Sequence, residues 1–343
     1  MRAPQRKITL LTACIATSLI VALPAQAEQK TGGTAEIEKS VTGQIVSVQP
    51  ETANKLTAEL VSTWIQERNG SQLYRYLSKE LKEAIPEGYL PKLLQALWKE
   101  GERPTLVAHK SFSGIESYVW TDATGLRGVQ TGIAGNQIVT LQMYPLHKWE
   151  SDLHPTKQAY KPPFVGQWFV SWGGNNEFLN YHYESLVQRY AYDLIMERDG
   201  FSYKGDPTKN ESYYAFGQPI VAPRDGTVVR VENNVADNSP VGVMNEKEMA
   251  GNYVVIDHGN GEYSMLAHFK KGSVVVKKGD VVKQGQLLGE CGNSGNSSEP
   301  HIHFQVSDTP QFEEGMSIRI RFEGGIDPVY GQTITGQSAV ATK

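Results

Sequence analysis

The chain of 343 residues has only two cysteines, Cys14 and Cys291. If Cys14 leaves with an N-terminal leader, Cys291 stands alone, no intramolecular disulfide is available, and packing has to hold the fold. A lone thiol among histidines raises the question of a nucleophile. Its setting, Gly289-Glu290-Cys291-Gly292, shows no activating helix N-terminus and reads as a small buried filler. A basic block is also missing. The net charge is −4, which argues against nucleic acid as a partner. Beyond residues 8–23 there is no long apolar run, so no membrane span is expected in the mature chain.

What is present begins with Arg2, Arg6 and Lys7, the apolar run 8–23, and the small-x-small triplet Ala25-Gln26-Ala27. This order predicts a signal peptide over 1–27, cleaved after Ala27, and a secreted or periplasmic protein. Leu11-Thr12-Ala13-Cys14 resembles a lipoprotein box. Most of the apolar run follows Cys14, however, so lipidation there is disfavoured. Residues 28–50 are polar and read as a flexible leader.

The remaining length suits two domains. Leu56, Leu60, Val61, Trp64 and Ile65 recur at helical spacing, and Asn69-Gly70 reads as a stop. Leu73, Tyr74, Leu77 and Leu81 predict a second helix ended by Pro86. Leu90, Leu93, Leu94, Leu97 and Trp98 predict a third, closed by Gly101. Strand-like runs follow at 105–109, 116–120, 127–131 and 137–144. Helices first and antiparallel strands after predict a small α+β domain over 51–147, weakly similar to the cone-shaped NTF2-like folds. His109, His147 and His154 are scattered along this part and read as structural or surface residues. Residues 148–165, with Pro155, Pro162 and Pro163 among polar neighbours, read as a linker.

Beyond the linker the chain is strand-rich and carries five of its eight histidines. Residues 181–195 read as one extended run. Asp193 lies there among apolar neighbours, where a carboxylate has to be paired, hydrogen-bonded or metal-bound. Asp225-Gly226 and Gly259-Asn260-Gly261 are turn signals between strands, and 232–250 reads as an excursion loop at a cleft rim. His258 sits at a turn and reads as structural; His268 ends a strand. A polar loop, 293–299, then delivers Pro300-His301-Ile302-His303-Phe304. In a strand His301 and His303 share one face while Ile302 and Phe304 take the other. Residues 331–343 read as a flexible tail.

These stretches form an ordered set: Asp193; Val221-Ala222-Pro223-Arg224-Asp225-Gly226-Thr227-Val228-Val229; Gly251-Asn252-Tyr253-Val254-Val255-Ile256-Asp257-His258-Gly259; Ala267-His268; Lys283-Gln284-Gly285-Gln286; Gly295-Asn296; and Pro300-His301-Ile302-His303-Phe304. In that order the chain resembles the M23 (lysostaphin/LytM-type) zinc metallopeptidases over about residues 185–310. The resemblance implies an all-β, antiparallel-sheet M23/LytM-like C-terminal domain over 166–330, following the α+β N-terminal domain. It also implies one zinc ion (Zn2+) and hydrolysis of peptide cross-links, with peptidoglycan peptide stems as the partner. Carried over residue by residue, Asp193 and His303 hold the zinc, and His268 and His301 act on water and on the tetrahedral intermediate. The chemistry suits those residue types. Zinc takes three protein ligands, leaves one position open and lowers the pKa of its water to about 7. A neighbouring imidazole takes a proton or steadies an oxyanion.

The departure is Arg189, which stands four residues before Asp193 where the family has its first ligand histidine. A guanidinium stays protonated and cannot bind zinc. The nearby imidazole is His182, eleven residues before Asp193. In a continuous strand that odd offset places it on the opposite face, so His182 reaches the metal only if a bulge or turn intervenes. Two readings stay open. Either His182 completes the site of an endopeptidase, or no substitute ligand does: the site is then two-ligand and weak, or Arg189 pairs with Asp193. In the last case the domain is a non-catalytic module that binds peptidoglycan or activates another cell-wall hydrolase.

Overall fold

The structure is a computed structural model that describes residues 55–311 and 313–337. The expected signal peptide (1–27), Cys14, the leader (28–50) and the end of the expected tail (338–343) lie outside the described residues. The described residues from Lys55 onward belong to one unit. Among the described residues no helix is long and apolar enough to cross a membrane.

Four helices come first: α1 (Ala58–Gln66), α2 (Gly70–Arg75), α3 (Lys79–Ala84) and α4 (Tyr89–Leu97). The second expected helix is in fact two. Tyr76 and Ser78 use their backbone groups to bond Ile138, at 2.8 and 2.9 Å. A continuous helix would need those groups internally. The Ser78 hydroxyl then caps α3 through Leu81 N. Asn69 opens α2 as its cap, accepting from Gln72 N. A Cβ on Gly70 would lie 2.3 Å from Pro91 N, so the close packing of α2 on α4 requires glycine.

The helices cover an antiparallel meander of β1 (Thr105–Phe112), β2 (Ile115–Thr121), β3 (Arg127–Ala134) and β4 (Gln137–Pro145). Leu73, Leu90, Leu94 and Trp98 bury against Trp120, Val129 and Ile138.

The strands that follow are β5 (Ala159–Tyr160), β6 (Gln167–Trp172), β7 (Tyr192–Ile195), β8 (Pro219–Val221), β9 (Gly226–Glu232), β10 (Asn252–Asp257), β11 (Tyr263–Phe269), β12 (Val281–Val282), β13 (Leu287–Glu290), β14 (Ile302–Ser307), β15 (Arg321–Phe322) and β16 (Thr333–Thr335). Eight of them form one antiparallel sheet in the order β12-β9-β10-β11-β14-β7-β6-β16. The chain is thus an α+β N-terminal part followed by an all-β part. Ile302, Phe304 and Val306 point into a core with Leu194, Val254, Ile256 and Leu266, which leaves the opposite face of β14 to His303 and Gln305.

Three expectations differ from what is observed. The stretch read as a linker, 148–165, is built into the fold. It holds a 3-10 turn (Glu150–Leu153) and β5, and its Tyr160 and Phe164 are fully buried. Tyr160 donates its hydroxyl hydrogen to buried Glu262 at 3.0 Å, so apolar burial outweighs the prolines and polar neighbours. The stretch read as a tail supplies β16, which pairs with β6. Residues 181–195 are not one extended run. A 3-10 turn (Tyr181–Glu184) and a further turn precede the short β7. Asn180 is the cause: it accepts from His182 N at 3.1 Å and donates to Arg189 O and Ala191 O at 3.3 and 2.9 Å. These local side-chain bonds to backbone displace the strand ladder.

Candidate metal centre

Register brings the site together. On β14, His303 lies opposite Asp193 of β7 on one side and Ala267 of β11 on the other. His303 Nδ1 is 3.0 Å from Asp193 Oδ1. On the far side of its ring, His303 Nε2 is 2.9 Å from Gln305 Oε1. Gln305 has no freedom to turn over, because its amide nitrogen donates to Val187 O and Ser307 Oγ at 3.0 and 2.8 Å.

Asn180 folds the preceding turn so that His182 returns over the same face. His182 Nδ1 donates to Asn180 Oδ1 at 3.0 Å, because the Asn180 amide nitrogen is already committed to carbonyls. His182 Nε2 therefore carries the lone pair, and it lies 3.7 Å from Asp193 Oδ2. One ligand atom each from His182, Asp193 and His303 lies within 4.8 Å of the others. Tyr181 donates its hydroxyl hydrogen to Asp193 Oδ2 at 3.1 Å, and its ring lies 3.8 Å from that of His182.

The other two histidines face this group. His301 Nε2 is 3.7 Å from Asp193 Oδ1, while Nδ1 donates to Glu299 O at 2.8 Å. His268 would alternate away from Ala267, and so away from His303, but a register shift between β10 and β11 and a left-handed backbone (φ 69°) turn it back. Its ring centroid lies 4.6 Å from that of His301 and 6.1 Å from that of His303. Its Nδ1 donates to Ser294 O at 2.7 Å. Met249 and Ala250, at the end of the excursion loop, join Gln188, Met265, Ala267, His268 and His303 around a cavity of about 20 Å³, room for about one water.

All five of these groups are buried, and burial governs their protonation. It pushes His182 down to about 4, against the pull of Asp193, and it pushes His268 well below the usual imidazole range. For Asp193 burial acts upward, but His182, His301 and the hydrogen bond from His303 outweigh it and hold the carboxyl far down. For His303 burial acts downward and is overcome by Asp193, so the imidazole is raised. Desolvation at the hydroxyl, then the Asp193 charge, pushes the Tyr181 phenol up, although the side chain as a whole is 58% exposed.

Arg189 does not enter the site. Its Nε donates to Tyr183 O at 3.0 Å, Nη1 donates to Ser151 Oγ at 3.3 Å, and the guanidinium lies 4.1 Å from the Trp149 ring centroid. Among the described residues Arg189 forms no ion pair with Asp193. His258 is held by Asp225 O and Ser264 Oγ, away from the group, and Cys291 is fully buried with its thiol pushed up by burial. Sequence reasoning missed Asn180, Tyr181 and Gln305. The period-two spacing of Gln305 from His303 was a usable signal, whereas Asn180 and Tyr181 depend on a turn that no short pattern announced.

Residues 212–314 match peptidase family M23. The match includes His268, His301 and His303 and begins after His182 and Asp193. Peptidoglycan DD-endopeptidase ShyA of Vibrio cholerae is 37% identical over 90 residues, which are 26% of this chain and 17% of ShyA. Cell division protein DipM of Caulobacter vibrioides is 30% identical over 98 residues, 29% of this chain and 14% of DipM. The chain thus spans less than a fifth of either relative. The catalytic domain of lysostaphin from Staphylococcus simulans is similar at 19% identity and a TM-score of 0.24, over 49% of this chain and 90% of that one.

Proposed function

We propose, from the match of residues 212–314 to peptidase family M23, that this protein is an extracytoplasmic zinc metalloendopeptidase that cleaves peptide cross-links of bacterial peptidoglycan. The substrate class follows the named activity of relatives such as ShyA. The observation that carries the reading is the convergence of His182, Asp193 and His303 within 4.8 Å, faced by His268 and His301.

The donor chemistry fits a cation. Gln305 Oε1 obliges His303 Nε2 to be the N–H, so a neutral His303 presents the lone pair of Nδ1 to Asp193 Oδ1 at 3.0 Å. Two acceptors at that distance repel unless a proton or a metal ion lies between them. His182 Nε2 brings a third lone pair to the same place, with its tautomer set by Asn180 as second-sphere partners of zinc ligands do. His182, Asp193 and His303 would hold the ion. When bound, zinc acts as a Lewis acid and makes water nucleophilic near neutral pH.

The chain's own residues do the rest. His301 and His268 spend their Nδ1 protons on Glu299 O and Ser294 O, so both Nε2 lone pairs face the site. One takes a proton from the attacking water. Once protonated, it donates to the leaving amine, and the other imidazole can donate to the developing oxyanion only when its Nε2 also carries a proton. Tyr181 holds the second oxygen of Asp193 in place.

The alternative, a silent module that binds peptidoglycan or activates another hydrolase, was favoured by Arg189 in place of the ligand histidine and, in one form, by its pairing with Asp193. The engagement of Arg189 with Tyr183, Ser151 and Trp149 speaks against it. The test is metal content of the purified protein together with digestion of purified sacculi. Near-stoichiometric zinc and chelator-sensitive peptide release are expected. His301→Ala should abolish cleavage with zinc content retained. Absence of zinc together with intact sacculi would leave the binding module.

A further inference from the structure

Behind the His301–Glu299 hydrogen bond lie further contacts that the proposed chemistry does not itself use. His301 Nδ1 donates to Glu299 O at 2.8 Å and lies 3.0 Å from Ser297 Oγ, which itself donates to the same carbonyl at 2.9 Å. This arrangement keeps the proton on Nδ1 and the lone pair on Nε2. The Glu299 side chain is held in turn: its Oε2 accepts from buried Ser202 Oγ at 2.7 Å.

Ser202 belongs to a segment seated on the N-terminal sheet. Ser113, in the turn between β1 and β2, donates its N–H to Gly200 O at 2.8 Å. Lys110 of β1 places its ammonium 4.6, 5.1 and 5.0 Å from the ring centroids of Phe112, Phe169 and Tyr330. Burial lowers Lys110 to about 8, and the carboxylates of Glu299 and Glu197 pull it back up. The contact has no slack, since a Cβ on Gly331 would lie 2.3 Å from His109 O.

We propose that Glu299 is a positioning residue for His301, anchored by Ser202, so that the segment seated on the N-terminal sheet sets whether Nε2 of His301 presents its lone pair to the reaction. The proposal rests on the reading of His301 as the proton-transfer group. It follows from geometry: if the Glu299 side chain loses its anchor, its carbonyl turns and the tautomer is no longer fixed. A shift of this kind changes the catalytic rate and leaves metal binding alone, because the ligand atoms sit on β7, β14 and the Asn180 turn.

The test uses the full zinc-loaded chain with Ser202→Ala. Kinetics on a soluble cross-linked muropeptide are combined with 15N imidazole shifts of His301. The variant should lose about tenfold in kcat, as second-sphere changes do, with KM and zinc content unchanged and a mixture of His301 tautomers. Ser202→Thr keeps the hydroxyl and should restore both readouts. An unchanged tautomer, or a rate loss that merely tracks loss of zinc or of thermal stability, overturns the proposal. If the wild-type chain cleaves nothing, the hydrolase reading fails, and the His301 tautomer in wild type against Ser202→Ala still decides this one.

Discussion

Replacing His182 by alanine separates a three-ligand site from a two-ligand one. His182 is buried, its Nε2 lies 3.7 Å from Asp193 Oδ2, and its tautomer is set by Asn180. Apparent zinc binding in four-ligand sites is about 10–16 kcal/mol, or about 2.5–4 kcal/mol per ligand. At 1.4 kcal/mol per factor of ten, the substitution should weaken zinc binding by about 60- to 700-fold. The metal-free fold should suffer less. Asn180 Oδ1 keeps its bond from the backbone N–H of residue 182, so no acceptor is orphaned, and the cost is a cavity of about 1–3 kcal/mol. The assay is competition with a chromophoric chelator at pH 7, alongside denaturation of the metal-free chain. Adding Arg189→His should not restore affinity, because position 189 projects toward Tyr183 O and Trp149. Wild-type zinc affinity in His182→Ala, or rescue by Arg189→His, would refute the assignment.

Arg189→Ala should leave zinc content unchanged and lower stability by about 1–3 kcal/mol, through a lost charged hydrogen bond and a lost stack on Trp149; urea unfolding reads this out. Gly251 has φ 57°, and a Cβ there would lie 2.3 Å from Ser294 O, the carbonyl that accepts from His268 Nδ1. Gly251→Ala should therefore cost about 1–3 kcal/mol and slow peptide release with zinc retained, measured on the same sacculi. In the metal-free chain His182 and His268 are depressed, so the unfolded state binds more protons. Each should remove stability as pH falls below about 6.5, at up to about 1.4 kcal/mol per pH unit. His303 is raised and acts oppositely: its contribution is complete below the unfolded value and lost as pH rises through the folded one. Denaturation of the metal-free protein between pH 7 and pH 5 should show a net fall, shallower in His182→Ala.

Much of the site was legible in one dimension. Alternation along β14 put Ile302 and Phe304 in the core and His303 on the opposite face, and the hairpin at Gly259-Asn260-Gly261 set β10 beside β11. The isolated carboxylate among apolar neighbours marked Asp193 as a residue needing partners, and register supplied His303. These readings succeeded because period and turn chemistry act between residues close in sequence.

The sequence by itself determined the faces of β14, the turns at Asp225-Gly226 and Gly259-Asn260-Gly261, and the residue types able to bind a cation. Only the tertiary structure decided that His182 turns back onto the Asp193 face, that Arg189 turns out, that His268 is re-aimed at the end of β11, and that the proline-bearing stretch 148–165 is core. Each of these rests on bonds between groups distant in the chain or competing locally with the ladder: Asn180 to Ala191 O, Arg189 to Ser151, His268 to Ser294 O, Tyr160 to Glu262. A local pattern fixes the direction of a side chain within its own element. Whether a turn closes depends on partners that only folding brings within hydrogen-bond distance.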